Sequence, residues 1–176
     1  MADETDPRAC SPLVIAVADE GRVHIPFGTP IAYHHNPPAS GPHWPSPHPW
    51  GAYNESIPPE WWVHNLEHGG IVLAFNCGGG FDLGPVSDGG GVDNGPMDLG
   101  GAWPCPEITT PLREILAERS PDEFGEVRML ITSDPAAPHK VSAIAWDWIY
   151  ESEKIDGVAL RCFRDRRYGR GPEHAP

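Results

Sequence analysis

Proline is the residue that most restricts how this chain can fold. Of its 176 residues, 22 are proline, and residues 21–60 combine many of them with histidine and aromatic side chains. Proline cannot donate a hydrogen bond in a sheet, and it breaks the interior of a helix. We therefore expect residues 21–60 to form a long irregular segment, built from extended chain and turns and held by its aromatic side chains.

Outside this segment the hydrophobic pattern predicts a small α+β domain, a mixed β-sheet with two or three helices packed on it. Helical signals occupy residues 61–69, 109–120 and 155–168. Strand signals occupy residues 71–76, 126–133 and 141–150. Prolines lie between the last two strands, which are expected to form a hairpin or to lie side by side.

The length of the chain is that of one domain with a sizeable core. We expect residues 1–20 to be a flexible N-terminal tail and residues 21–174 to be a single domain. A Gly-rich stretch at about residues 78–104 is longer than most loops. It is therefore a functional loop, an insertion into the domain, or a mobile segment.

The formal net charge of −13 disfavours nucleic acid as a partner, because phosphate binding requires a basic surface. No apolar run approaches the roughly 18–20 residues that span a bilayer. The polar start is compatible with a lipid anchor or with an export signal that has been removed. The sequence does not indicate a protein partner.

The four cysteines are Cys10, Cys77, Cys105 and Cys162, and no two of them form a C-x-x-C pair. Four cysteines allow three disulfide connectivities. We expect Cys77 to pair with Cys105 and Cys10 with Cys162, with free buried thiols as the alternative. An even count in a loop-rich chain is typical of an oxidising compartment, which predicts an extracytoplasmic location: periplasmic, secreted or anchored to the cell envelope.

The strongest chemical motif is H-N-L-E-H at residues 64–68. On a helix, His64 and His68 lie one turn apart on the same face, so both imidazoles can reach one ion. Glu67 could ligate that ion, orient a histidine, or act as the catalytic base if the protein is an enzyme. The spacing also matches inverted zincins, but two glycines follow immediately and would end the helix, which disfavours a zinc peptidase.

A second motif, P-P-A-S-G-P-H-W at residues 37–44, holds His43 between a proline and a tryptophan. Such preorganisation suits a metal ligand, whereas a rigid turn with His43 hydrogen-bonded among aromatic side chains is the alternative. His24, at the head of the extended stretch, is the next candidate. The adjacent His34 and His35 would point to opposite faces of an extended chain, so at most one of them would face a site.

These donors predict a bound copper or zinc ion, because imidazole suits both metals and an oxidising compartment favours them. Met97 in the Gly-rich stretch could add a thioether ligand for copper, although an exposed loop methionine is the simpler interpretation. The candidate metal ligands are His43, His64, His68, His24 and Glu67. The residues interpreted as surface or loop positions are His48, His139, His174, Asp88, Asp93 and Asp98.

Together the motifs resemble the DUF3105 family, a group of bacterial exported or membrane-tethered proteins of unknown function. The similarity rests on Y-H-H-N-P-P-A-S-G-P-H-W at residues 33–44 and V-H-N-L-E-H-G-G-I-V-L at residues 63–73. A-W-D-W at residues 145–148 and G-P-E at residues 171–173 follow in the same order. The resemblance covers roughly residues 22–174.

The family pattern N-P-P-[ST]-S-G-x-H, followed by H-[NS]-L-E-H-G, contains the positions of His43, His64, Glu67 and His68. A histidine near the start of the family domain corresponds to His24. The family has no established activity, so the metal hypothesis depends on the residues themselves.

Some family members carry a compact N-C-x-x-x-C-P-E element. In this chain its two ends are residues 76–77 and 105–107, with the Gly-rich stretch inserted between them. The resemblance therefore supports a disulfide between Cys77 and Cys105, and it makes residues 78–104 a departure from the family pattern. Ala39 stands where the family usually has threonine or serine.

Three functions follow from these residues. The first is a metal-binding protein that handles copper or zinc or uses the ion structurally. The second is a metalloenzyme, a copper oxidoreductase or a zinc hydrolase, which needs an open coordination position as well. The third is a non-metal extracellular interaction domain, in which the histidines pack against tryptophans as a rigid platform.

Overall fold

The computed structural model describes residues 4–78 and 103–176, and it confirms an α+β fold with a mixed sheet. Within these ranges three α-helices pack on six strands. In chain order, after a short 3-10 helix at Pro7–Ala9, the elements are β1 Val14–Ala16, β2 Gly51–Ala52, α1 Pro59–Glu67, β3 Ile71–Phe75, α2 Pro106–Ala117, β4 Met129–Ser133, β5 Val141–Ala145, β6 Trp148–Ser152 and α3 Gly157–Arg167.

Strand β3 lies at the centre of the sheet, whose order is β1-β6-β5-β3-β4-β2. It pairs in parallel with β4 and antiparallel with β5. All five of its residues are buried, as expected of a strand that is covered on both faces. The sheet therefore has one layer of structure on each side.

Two strand predictions require correction. Residues 141–150 are not one strand but the strands β5 and β6, joined by a tight turn at residues 146–147 in which Asp147 has a φ of 63°. Aspartate tolerates this left-handed conformation better than most residues, so an apolar run can reverse there. In addition, β4 and β5 are not neighbours, because β3 lies between them.

The helix predictions differ from the structure only at their ends, by up to three residues. Helix α2 begins at Pro106 rather than Thr109, because proline is favoured in the first turn, where its missing N–H has no acceptor. Pro111 lies inside the same helix.

Alternate residues of each strand point to opposite faces of the sheet and divide the core in two. On one face, α2 and α3 cover Ile71, Leu73, Phe75 and their neighbours through side chains such as Leu112 and Phe163. We call this the helix-covered face. On the other face, α1 and the irregular segment cover Val72, Ala74, Leu130, Ile144 and Ile149. We call this the loop-covered face.

Residues 7–16 contribute secondary structure to the fold, although a flexible tail is expected over residues 1–20. Strand β1 pairs antiparallel with β6 at the edge of the sheet. Cys10 is disulfide-bonded to Cys162 of α3. A three-residue strand is too short to produce a clear alternation of apolar and polar residues, so the sequence pattern did not reveal it.

The second disulfide joins Cys77 to Cys105, so the structure contains both expected pairs. Disulfides indicate an oxidising, extracytoplasmic environment. Across residues 4–78 and 103–176, none of the helices combines the length and the hydropathy required to traverse a bilayer. The interpretations of Met97, Asp88, Asp93, Asp98 and the body of the Gly-rich insertion concern positions outside the described residues.

Candidate metal centre

Helix α1 provides three of the candidate ligands from its C-terminal turn. It begins at Pro59 and ends at Glu67, with His68 as its C-cap, and Gly69 follows with a φ of 80° that terminates the helix. The helical spacing brings the Nε2 atoms of His64 and His68 to 3.1 Å from each other. The predicted juxtaposition of these two imidazoles on one face is therefore present.

Two extended parts of the irregular segment provide the other candidate ligands. His24 and His43 form an isolated parallel bridge, in which the N–H of His43 donates to the carbonyl of Val23 and the N–H of Ile25 donates to the carbonyl of His43. The imidazole rings of His24 and His43 consequently lie 4.9 Å apart. The ring of His24 also stacks on that of His64, with centroids 4.8 Å apart.

Glu67 joins the two halves of the site. Its Oε2 atom lies 3.0 Å from Nε2 of His43 and 3.5 Å from Nε2 of His24. Glu67, His43, His64 and His68 are all buried, and His43 has no exposed surface. The side chain of His24 is 48% exposed, so His24 forms the solvent-facing side of the site.

The buried imidazoles are oriented by backbone carbonyls that lie behind them. Nδ1 of His43 donates to the carbonyl of Gly41 at 2.8 Å, and Nδ1 of His64 donates to that of Trp44 at 2.7 Å. Nδ1 of His68 donates to the backbone oxygen of Pro176 at 2.5 Å. These oxygens can only accept, so each Nδ1 carries a proton. In the neutral imidazole the Nε2 atoms of His64 and His68 then have a free lone pair, whereas Nε2 of His43 contacts the carboxylate of Glu67. Metal-binding histidines are commonly fixed in this way.

The contact between His64 and His68 needs a positive charge to be favourable. With both Nδ1 atoms protonated, the two neutral rings would direct their lone pairs at each other across 3.1 Å. Either a proton or a metal cation can relieve this repulsion. Burial, together with the neighbouring histidines, lowers the pKa of His64 to about 4, so the charged form of His64 is disfavoured near neutral pH. Burial also lowers the pKa of His43.

The donor atoms have the spacing of a coordination site. The ligand atoms of one group, which we call the inner group, all lie within 4.8 Å of one another; it consists of His24, His43, His64 and Glu67. A tetrahedral ion with bonds of about 2.0–2.1 Å separates its ligands by roughly 3.3 Å. The 3.0 Å and 3.5 Å contacts of Glu67 are close to that separation. The inner group could therefore hold a metal ion after small adjustments.

Packing of the irregular segment against α1 explains why the surrounding residues are of particular types. The side-chain amide of Asn65 donates to the carbonyl of His48 and its oxygen accepts from the N–H of His48. A Cβ atom at Gly70 would lie 2.5 Å from the ring of Trp50, so only glycine allows this approach. The expected surface residue His48 is instead half-buried, with its ring against Tyr53 and Trp61.

A segment near the C-terminus contributes residues that the sequence interpretation missed. We call residues 169–176 the strap. The strap is bound to α1 by two backbone hydrogen bonds, from Gly169 to the carbonyl of Gly69 and from Glu173 to that of Glu67. Its Glu173 Oε2 lies 3.8 Å from Nε2 of His68. The G-P-E motif at residues 171–173 was the available signal, but nothing in it indicated proximity to the histidines.

Arg128 joins the strap to the end of α1. Its side chain is buried and donates to the carbonyls of His68 and Ala175, while its Nε donates to Asp122 at 2.5 Å. The backbone N–H of Arg128 donates to the hydroxyl of Tyr168. The end of α1 and the strap are therefore both bound by the buried guanidinium group of Arg128.

Other histidines do not join the candidate metal centre. His34 pairs with Glu20, His139 with Glu153, and His174 with Glu123. His34 and His174 are exposed and the side chain of His139 is 42% exposed, in agreement with the surface position expected for His139 and His174.

One comparison with known proteins returns a match. Residues 24–82 match the family model described as "Protein of unknown function (DUF3105)". No curated protein and no solved structure matches the chain. The matched segment contains His24, His43, α1 and β3, and it ends before the second half of the domain. The resemblance noted in the sequence is therefore confirmed over these residues: the segment that carries most of the candidate metal centre is similar to DUF3105.

Proposed function

We propose that this chain is an extracytoplasmic metal-binding protein that holds copper or zinc at its histidine–glutamate cluster. The observation that carries the proposal is the orientation of His43, His64 and His68. Each directs its Nε2 into the cluster because its Nδ1 donates to a backbone oxygen, and Nε2 of His43 meets Glu67 there. Imidazoles that only fill a core have no need for this common orientation.

The composition of the site supports copper or zinc over other metals. Imidazole with one or two carboxylates is a donor set typical of these ions, whereas calcium and magnesium prefer oxygen ligands. All four cysteines are in disulfides, so no thiolate is available to the site. The buried charge of Glu67 also favours a cation next to it.

The test is elemental analysis of the untagged protein after removal of metal and reconstitution with Cu²⁺ or Zn²⁺. We expect at least one equivalent of metal in the natural protein and a large loss in His64→Gln. Because His64 is buried, its replacement could disturb the fold, so His24→Ala provides a second variant at an exposed position. His24→Ala should weaken metal affinity at least tenfold, whereas the matched control His34→Ala should not change it.

The alternative of a metal-free interaction platform makes a different prediction for the same variants. If the histidines only support packing, the natural protein binds neither metal, and the His24→Ala change on the exposed side has little effect on any property. Absence of both metals after reconstitution would contradict the proposal.

A zinc hydrolase is the second candidate function, and the exposure of His24 favours it. The four buried ligands enclose the site on one side, whereas the side chain of His24 faces solvent. Catalytic zinc sites keep one position open for water or substrate, and this site would have one if Glu67 acts as the base and only the three histidines of the inner group bind the ion. Hydrolysis of p-nitrophenyl acetate by the zinc-loaded protein, lost in Glu67→Gln with the fold retained, would support this function; equal rates in the two proteins would contradict it.

A further inference from the structure

The candidate metal centre contains more donors than one tetrahedral ion requires. The inner group already supplies three imidazoles and one carboxylate, which is four ligands. Two further donors, His68 and Glu173, lie beside it. His68 and Glu173 are therefore available to bind something other than the ion of the inner group.

These extra donors form a group of their own. The ligand atoms of Glu67, His68 and Glu173 all lie within 4.8 Å of one another, and we call this set the outer group. Glu67 belongs to both groups. A carboxylate has two oxygens and can bind two cations at once, and paired metal sites with ions about 3.5–4 Å apart are a common arrangement in proteins.

His68 provides the strongest argument for a second ion. Once His64 ligates an ion in the inner group, its Nε2 lone pair is occupied, and it cannot satisfy the Nε2 of His68 at 3.1 Å. Nδ1 of His68 already donates to Pro176. The carboxylate of Glu173 is 3.8 Å away, which is beyond hydrogen-bonding distance. A cation between His68, Glu173 and Glu67 would satisfy all three.

The strap is built so that Glu173 stays at this position. The backbone N–H of Glu173 donates to the carbonyl of Glu67 at 3.0 Å, which holds Glu173 next to the end of α1. A Cβ atom at Gly171 would collide with the carbonyl of Glu67 and with the N–H of Gly69. The close approach of the two backbones therefore requires glycine at residue 171.

We propose that the centre binds two metal ions bridged by Glu67, one in the inner group and the second in the outer group with His68 and Glu173. This inference rests on the proposed function, because the second ion shares a ligand with the first. It assigns a ligand to the strap, which lies outside the segment that matches DUF3105.

The experiment compares the metal stoichiometry of three proteins by native mass spectrometry and by Zn²⁺ titration after chelator treatment. They are the natural protein, Glu173→Gln and the control Glu123→Gln. Glu123 contacts His174, the residue next to Glu173, and is likewise exposed, so the control also removes one carboxylate near the strap. We expect two equivalents of Zn²⁺ in the natural protein and in the control, and one in Glu173→Gln.

A second readout is the electron paramagnetic resonance spectrum of the Cu²⁺-loaded protein. Two Cu²⁺ ions bridged by one carboxylate are magnetically coupled, so the natural protein should show fewer spins than bound ions. Glu173→Gln should show one uncoupled spin for each chain. Circular dichroism of each protein checks that the fold is retained.

The outcomes separate this inference from the function on which it rests. One equivalent in both the natural protein and Glu173→Gln overturns the second site and leaves the proposed function standing. Two equivalents in both proteins overturn the role of Glu173. No bound metal in any of the three overturns the proposed function and the second site together.

Discussion

The two faces of the sheet are covered in different ways, and only one of them carries the candidate metal centre. On the helix-covered face, α2 and α3 bury an apolar core with ordinary helix packing. On the loop-covered face, α1 is accompanied by the irregular segment rich in proline, histidine and tryptophan. Both faces are well buried, so the difference between them is not one of compactness.

This difference in how the two faces are covered shows how a buried imidazole can be oriented. Inside a helix or a sheet, most carbonyls already accept a backbone hydrogen bond. In the irregular segment and the strap, the carbonyls of Gly41, Trp44 and Pro176 accept from imidazole instead. Irregular backbone is therefore useful for holding several histidines in one tautomer. We expect the helix-covered face to determine stability and the loop-covered face to determine metal binding.

The largest expected change in stability comes from creating a cavity on the helix-covered face. Phe163 of α3 is completely buried. Phe163→Ala should lower the free energy of unfolding by about 3–5 kcal/mol, because it removes a large apolar side chain and leaves a cavity. Denaturant unfolding would measure the loss. Metal content of the folded protein should not change; a loss of metal would show that the two faces are not separate.

Removal of the Cys10–Cys162 disulfide should have the next largest effect. The bond closes a loop between residues 152 positions apart, so it restricts the unfolded chain strongly. Cys10→Ser with Cys162→Ser should cost about 3 kcal/mol of stability. Calorimetry of the double variant would test this, with metal affinity again unchanged. An unchanged Tm would indicate that β1 is held by its pairing with β6 alone.

Acid should lower the folding stability of the metal-free protein because of His64 on the loop-covered face. The pKa of His64 is lowered from 6.5 to about 4 in the folded state, so between these values the unfolded chain binds more protons and folding stability falls as the pH falls. The expected loss between pH 7 and pH 5 is about 2 kcal/mol. His64→Gln should remove this part of the pH dependence, whereas His139→Gln, at an exposed position, should not.

The smallest expected effect concerns the contact between the strap and α1. Gly171→Ala should cost about 1 kcal/mol, since the strap can move away from the collision with Glu67. The same movement should remove the second metal ion and leave the first. Gly157→Ala, where a Cβ would meet only the movable end of the Arg161 side chain, is the control and should keep both ions. Metal titration and denaturant unfolding measure the two quantities.

The local part of the site follows from sequence, and the long-range part does not. The proximity of His64, Glu67 and His68 is a direct result of helical spacing, and the family motifs placed His43 and His24 with them. Glu173 and Pro176 lie more than 100 residues further along the chain, and no periodicity connects them to α1. The carbonyls that orient the imidazoles are equally invisible in sequence, because every residue has one.

The same reasoning applies to the fold. Apolar periodicity predicted the class, the three helices and the central strand β3, because these depend on local pattern. It did not predict the order of the strands or the reversal at Asp147, which depend on how separate segments meet. Strand β1 was missed for a related reason, since its three residues gain their structure from β6.

The position of Pro176 has a practical consequence for protein production. Its carbonyl contacts His68, so any peptide attached after this residue begins beside the candidate metal centre. A hexahistidine tag placed there would bring six competing imidazoles to the site and could displace the strap. Residues 4–6, in contrast, contact Arg166 of α3 on the helix-covered face. A tag placed before these residues would therefore lie away from the candidate metal centre.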